Sequence, residues 1–392
     1  MFHYKAFIVT ILTVNVILLL GYCIVIQFDP ILTPAIPKTL ENKVSEHQSI
    51  QVEIWSKAAI GQYVWEHIIR GNIEPRSNQF YIEGRTQIDS ILFTFRSGPS
   101  LRVQNLQSFT FIKNLILIVN WRNQNKINYS IPWLETAIRS DYIQNIGIIA
   151  LGNEQCNNEW FIERYSFELS KIQFLFIVYD WNRINNNDKI YQWPLGIATY
   201  RNFPSNNEWT SIIQMARPYR CNYIATIYPN SSREELSHLF ETNLDLKQYC
   251  ILKLRNHWEP METEQSMAFY VESLRLSELT LSPIGHNHEC YRILEAVEYG
   301  SIPVIEIDHT ILVKNSSNLC DKHKVLRLFF EYDAPFIYVN NWTKQLPGII
   351  LQQIEQPEDV KRSRRIQLIK WYHRFKNKLR QKLINIIKEK FT

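Results

Sequence analysis

Residues 278–307, ELTLSPIGHNHECYRILEAVEYGSIPVIEI, constrain the fold more than any other part of the chain. They read as strand, loop, helix, strand. Leu279-Thr280-Leu281 is a short apolar run closed by Ser282-Pro283, and Gly285 opens a polar loop. Cys290, Ile293, Leu294 and Val297 stand at i, i+3, i+4 and i+7, one helical stripe. Arg292, Glu295 and Tyr299 take the opposite side. Gly300 ends the helix, and Ile302-Pro303-Val304-Ile305 is the next buried strand. Such a βαβ unit brings a loop and a helix N-terminus to the carboxyl edge of a parallel sheet. Open α/β folds bind ligands at that edge, and free N–H groups there suit a phosphate.

Arg292 and Glu295 share one side of this helix, one turn past the loop. An arginine pairs with a diphosphate, and a carboxylate accepts hydrogen bonds from both hydroxyls of a ribose. Together they can hold a nucleotide diphosphate without a metal. The same spacing also describes a solvated i, i+3 ion pair worth about 0.2–0.5 kcal/mol, and spacing alone does not choose.

At 392 residues, 45% apolar, the chain has material for two domains beyond any targeting segment. Its net charge of +5 is concentrated in the tail, where residues 361–392 hold twelve Lys or Arg and one acid. The rest is slightly acidic, which argues against nucleic acid as a partner. None of the six cysteines forms a CxxC pair, so a structural zinc site is not expected.

Residues 6–26 carry no charge, and at ~1.5 Å per residue they span a hydrocarbon core. Lys5 precedes them and Asp29 follows. The reading is a single-pass type II signal anchor with a cytoplasmic tail at 1–5; a cleaved signal peptide fits Tyr22, Val25 and Gln27 poorly. Residues 27–50, with three prolines, form a stem. Sequons at Asn128, Asn230, Asn315 and Asn341 accord with a lumenal, glycosylated body.

From residue 51 onward, strands and helices alternate. A helical pattern is read at 52–70, strands at 115–120, 146–152 and 172–180, and helices at 133–144 and 159–171. This makes a first Rossmann-like domain, 51–200. A second, 218–357, reads as strand 223–228, helix 234–242, strand 250–255, helix 264–276, the central βαβ, a connector at 308–321, a helix near 322–330 and a strand at 335–339. Alternation of this kind builds parallel sheets. The basic tail, 358–392, is an amphipathic helix, read as packing along both domains or touching acidic lipid or glycan.

Gly285, the segment from Cys290 to Ala296, and Gly300-Ser301-Ile302-Pro303-Val304 resemble the nucleotide-sugar segment of exostosin-type glycosyltransferases. WSKAAIGQYVWEHI, LGNEQCNNEW, QWPLGIATYRNFP and ECYRILEAVEYGSIPV are similar to the branch of that family that moves xylose to ribitol phosphate. The resemblance implies a GT-B architecture, two Rossmann-like domains facing across a cleft. It implies an inverting Golgi transferase with UDP-xylose as donor. The implied acceptor is ribitol 5-phosphate on the O-mannosyl glycan of α-dystroglycan, joined by a β-1,4 link, with other Golgi glycosyltransferases as neighbours. The chain departs from the family pattern at Cys290, where serine is usual. Another UDP-sugar, or a non-catalytic lumenal scaffold that binds glycans, remains open.

Inverting transfer needs a base for the acceptor hydroxyl and positive charge for the departing diphosphate. The chain has no Asp-x-Asp, so no metal or other cofactor is expected, and basic side chains fall to that task. Arg292, Arg233 and Arg255 are the candidates, with Arg201 on the acceptor side. In the exostosin pattern the loop carrying Ser231, Ser232 and Arg233 faces the diphosphate, and Ser282 and Gly285 join the donor contacts. A glycan on Asn230 would crowd that loop. Glu154 and Asp180, each at a strand's carboxyl end, are candidate bases; each fits a helix cap or loop hydrogen bond equally. His286-Asn287-His288 is a weak metal pattern.

Overall fold

The computed structural model describes residues 49–391 apart from 77–80, 109–110, 166, 168–169, 187, 260 and 308–325. The expected anchor, nearly all of the stem, Asn315 and the 308–321 connector lie outside the described residues. No helix among the described residues is long and apolar enough to cross a membrane.

Two sheets dominate. The first contains β1 (Ile50–Ser56), β2 (Glu74–Arg76), β3 (Tyr81–Ile88), β4 (Ile91–Ser97), β5 (Asn114–Asn120), β6 (Asn145–Leu151), β7 (Ile172–Val178) and β8 (Ile190–Trp193). Its order is β2-β3-β4-β1-β5-β6-β7-β8, parallel from β4 to β8, with β2 and β3 added antiparallel at one edge. The second contains β9 (Tyr219–Thr226), β10 (Cys250–Arg255), β11 (Ser277–Ser282), β12 (Ile302–Glu306) and β13 (Ile337–Val339). It is wholly parallel, in the order β10-β9-β11-β12-β13. The connections reverse direction between β9 and β11. At such a switch point, the loops that follow two neighbouring strands diverge and leave a crevice at the carboxyl edge.

The central strands are continuous apolar runs because helices cover both faces. β5, β6 and β7 are buried almost throughout. A disulfide joins Cys221 to Cys250, which are register partners on β9 and β10. Cys156 is disulfide-bonded, and Cys290 is a free thiol.

Several expectations change. The 52–70 helix is instead β1, a turn, and a helix Ile60–Tyr63 that widens into a π-helix Val64–Ile69. Ile50, Val52 and Ile54 alternate, and that period of two wins because β1 sits between β4 and β5. The β3–β4 hairpin, turning at Asp89 with φ 53°, was not read from the sequence. The helix expected at 133–144 runs over Gln124–Arg139, started by the Asn123 side chain accepting from Lys126 N–H. The one expected at 159–171 stops at Arg164. The helix near 322–330 is described over Arg327–Glu331. An unexpected helix, Trp342–Glu355, is capped by Asn341 and contains Pro347.

The tail forms a helix, Glu358–Lys390, that packs against the first-half π-helix and against the helix Arg292–Glu298. Leu368, Tyr372, Phe375, Leu379 and Ile387 are its buried stripe. Arg365, 0% exposed, pairs with Glu358 and lies 3.6 Å from the buried Glu278. It also donates to the carbonyls of Ile213 and Met215 at 2.9 and 2.8 Å. Removing one member of a buried charge pair typically costs ~3–5 kcal/mol. Arg365→Ala should therefore lower stability by about that amount. Denaturant unfolding would show it, and a variant within ~1 kcal/mol of native would refute this role for the pair.

Candidate functional site

The carboxyl edges of both sheets line one cavity of about 210 Å³. From the second sheet come two loops at the switch point. Arg233 follows β9, at the start of the helix Ser232–Thr242. Arg292 follows β11 and begins the helix Arg292–Glu298. Gly285 leaves room for the Arg233 guanidinium beside it. A Cβ there would stand 2.5 Å from the Arg233 guanidinium, so a larger residue would make the end of that side chain shift. Neither arginine has an ion pair among the described residues. Arg233 is 8% exposed and gives one hydrogen bond, to the Thr226 carbonyl at 3.0 Å, while its Nε lacks a partner. Arg292 has a buried Nη1 without a partner. Burial and then the neighbouring Arg292 push the Arg233 pKa down, the signature of like charges held together.

From the first sheet come residues just past three parallel strands. Arg122 follows β5, Glu154 follows β6 and Tyr179 follows β7. Glu154 lies 2.8 Å from Arg122 and accepts from the Tyr179 hydroxyl at 3.4 Å. Asn287, from the loop after β11, crosses the cleft to the Glu154 carbonyl at 2.7 Å. The Glu154 carboxylate thus lines the same cavity as the Arg233 and Arg292 guanidinium groups.

Glu295 lines the cavity and is 5% exposed. Its oxygens accept from Ala198 N–H at 3.1 Å and the Tyr270 hydroxyl at 2.7 Å. It therefore ties the helix to the inter-sheet connector as well as facing the cavity. Burial raises its pKa, opposed by those two hydrogen bonds. Arg255 reaches the cavity with both terminal nitrogens on Glu262, at 3.2 and 2.8 Å. Arg201 also lines it, stacked near the rings of Trp258 and Tyr200.

Five expected contacts fall outside the cavity lining, Gly285 among them. Asp180, 1% exposed, pairs with Arg327 at 2.6 Å and does not line the cavity. The Ser231 hydroxyl turns back to the Tyr228 carbonyl at 2.5 Å. The Ser232 hydroxyl donates to Glu306 at 2.7 Å, and Glu306 also accepts from Ile284 N–H and Trp342 Nε1. Those serines shape the loop that carries Arg233. Ser282 is buried within β11. Asn230 is exposed at φ 55° and does not line the cavity. Asn128 is exposed on its helix. No group of three or more His, Cys, Asp or Glu side chains among the described residues is placed to hold a metal.

Sequence reasoning missed Arg122, Tyr179, Tyr270, Trp258 and Glu289. Two had a signal: Arg122 stands two residues past the strand read at 115–120, and Tyr179 one residue past β7, at the end of the strand read at 172–180. Glu289 did not. It is 6% exposed, accepts from Leu195 N–H at 2.7 Å, and burial pushes its carboxyl up to about 8 against that hydrogen bond.

Fold and site together define an α/β protein with a cationic ligand cleft at the carboxyl edges of two largely parallel sheets. The chain belongs to the ribitol-5-phosphate xylosyltransferase 1 family. Residues 52–194 match the RXYLT1 N-terminal domain and residues 200–392 match the RXYLT1 C-terminal domain. Ribitol-5-phosphate xylosyltransferase 1 of Danio rerio is 38% identical over 88% of this chain and 78% of its own length. The Homo sapiens protein of the same name is 38% identical over 90% and 79%, and that of Mus musculus 36% over the same shares.

The Glu289 geometry makes a pH prediction. Its folded-state pKa of about 8 lies above the ordinary carboxylate value of 4.5. The folded protein therefore holds this proton more tightly than the unfolded chain. That contribution to stability is full below pH 4.5 and is lost as pH rises through about 8. Glu289→Gln keeps an acceptor for Leu195 and removes the titration. Its thermal midpoint should match native at pH 5 and exceed it increasingly toward pH 8. A difference that stays constant with pH would contradict this.

Proposed function

We propose that this chain is an inverting GT-B glycosyltransferase that moves xylose from UDP-xylose to ribitol 5-phosphate. The observation that carries the reading is the pair Arg233 and Arg292. The two sit at the switch point without counter-ions among the described residues, opposite Glu154. The 218–357 half takes the nucleotide sugar and the 51–200 half takes the acceptor. The names of the relatives support xylose and ribitol phosphate as the transferred sugar and its acceptor.

Glu154 removes the proton from the acceptor hydroxyl. The hydroxyl oxygen forms a bond to the anomeric carbon on the face opposite the diphosphate. The bond from that carbon to the β-phosphate oxygen breaks, and its electron pair leaves with UDP. Arg233 and Arg292 meet the charge that develops there. One preorganised donor in a water-poor site is worth ~3 kcal/mol, against ~0.3–1 kcal/mol for a helix dipole, so the side chains carry more of this task. Arg122 and Tyr179 hold the Glu154 carboxylate in place.

The wider setting is part of the proposal. Residues 6–26 anchor the chain in the Golgi membrane as a single-pass type II protein with its body in the lumen, near other transferases. The acceptor glycan is that of α-dystroglycan. Asn128, Asn230, Asn315 and Asn341 take N-glycans. At Asn341 the Oδ1 atom caps the following helix by accepting from Lys344 N–H, which leaves Nδ2 for the sugar.

The test is a panel of UDP-sugars with a ribitol-phosphate acceptor. UDP-xylose should be the donor used. Glu154→Gln should lower kcat by ~10²–10⁴ with little change in donor KM. Arg292→Ala should weaken UDP binding. Full turnover by Glu154→Gln would remove it as the base.

A further inference from the structure

We infer that the open face of Trp258 is the platform on which the donor's nucleobase stacks. This rests on the donor-site reading above. Of the eleven tryptophans, Trp258 is the one classed as exposed, at 53%, and it lines the cavity. A bare indole in water forgoes the burial that the chain gives its other tryptophans, and a flat apolar ligand would restore it.

The indole is held ready. Its loop follows β10 and is pinned on both sides. The Thr226 hydroxyl contacts the His257 carbonyl at 3.5 Å. The Arg255 fork grips Glu262, and the Ser266 hydroxyl adds a bond to Glu262 at 2.6 Å. Thr263 caps the helix Glu264–Leu276. Arg201 lies with its guanidinium carbon 5.0 Å from the Trp258 ring centre and donates to the Glu259 carbonyl at 3.1 Å. The cation backs the ring and strengthens its hold on a second π-system.

Position supplies the rest. Along the carboxyl edge the loops run in strand order: the β10 loop with Trp258, the β9 loop with Arg233, the β11 loop with Arg292. Adjacent strands are ~4.8 Å apart. Base and diphosphate would therefore lie one to two strand spacings apart, the reach of a nucleoside. Glu295, the ribose candidate, faces the same cavity.

The test is calorimetry on the full-length protein with UDP and with inorganic pyrophosphate, which has no base. Trp258→Ala should weaken UDP about 10-fold or more and leave pyrophosphate unchanged. Trp258→Phe, which keeps an aromatic face, should retain most of the UDP affinity. Unchanged UDP affinity in Trp258→Ala overturns the inference, as does equal weakening of both ligands. A rise in acceptor KM alone would assign the indole to the acceptor and overturn it too. Arg292→Ala separates the two levels. If it leaves UDP binding intact, the donor site itself is misplaced; if only Trp258→Ala does so, the stacking alone fails.

Discussion

Three carboxylates on one short stretch set the geometry of the cleft. Glu289, Glu295 and Glu298 accept the backbone N–H groups of Leu195, Ala198 and Asn206 at 2.7, 3.1 and 3.2 Å. Those three residues lie on the connector that leaves the first sheet. The three acceptors lie on the loop and helix that carry Arg292. Burial raises the pKa of all three acids; the amide bond opposes it for Glu289, the Tyr270 hydroxyl and then the amide for Glu295, and Lys376 ahead of the amide for Glu298. Moving the connector would leave three amides unpaired and strip the buried Glu289 carboxyl of its Leu195 donor, each costly. The spacing between the two cleft walls is therefore fixed by side chains of the ligand-bearing helix itself.

The cations show the same economy in reverse. Arg365 has two carboxylates and two carbonyls, and Arg217 gives hydrogen bonds to the carbonyls of Leu274, Ser277 and Tyr299. Both are structural, holding the tail helix and the start of the second sheet. Arg233 is buried and Arg292 half-buried, yet Arg233 gives one hydrogen bond, to the Thr226 carbonyl, and neither has an ion pair among the described residues. Two enclosed, adjacent cations with no ion pair among the described residues are a local departure from charge balance, and such departures mark binding sites.

The sequence showed the second half clearly. Strand 250–255 and helix 264–276 fall where their apolar periods put them. Arg292, Glu295, Arg233, Arg255, Arg201 and Glu154 all reach one cavity. Local pattern could not reveal which serines serve the loop and which the ligand, because Ser232 answers to Glu306, seventy-four residues away. Asp180 looked like Glu154, a carboxylate past a strand, but Arg327 claims it from distant sequence. β1 was read as helix because its alternating residues run into a true helical period after Ala59. Pairwise tertiary choices of this kind leave no trace within a single window.

Charge balance links these points. Five arginines and four glutamates line the cavity. Burial keeps Tyr179, Tyr270 and Tyr291 neutral by pushing their pKa values up, so they add hydroxyl donors and no charge. Near neutral pH the proton on Glu289 removes one negative charge, and burial moves Glu295 in the same direction. The cleft is thus left with a surplus of about two positive charges, concentrated where Arg233 and Arg292 meet and Glu154 stands opposite. A pyrophosphate diester carries one negative charge on each phosphate. The burial that makes Glu289 a poor anion is therefore part of what makes the cleft a good receptor for one.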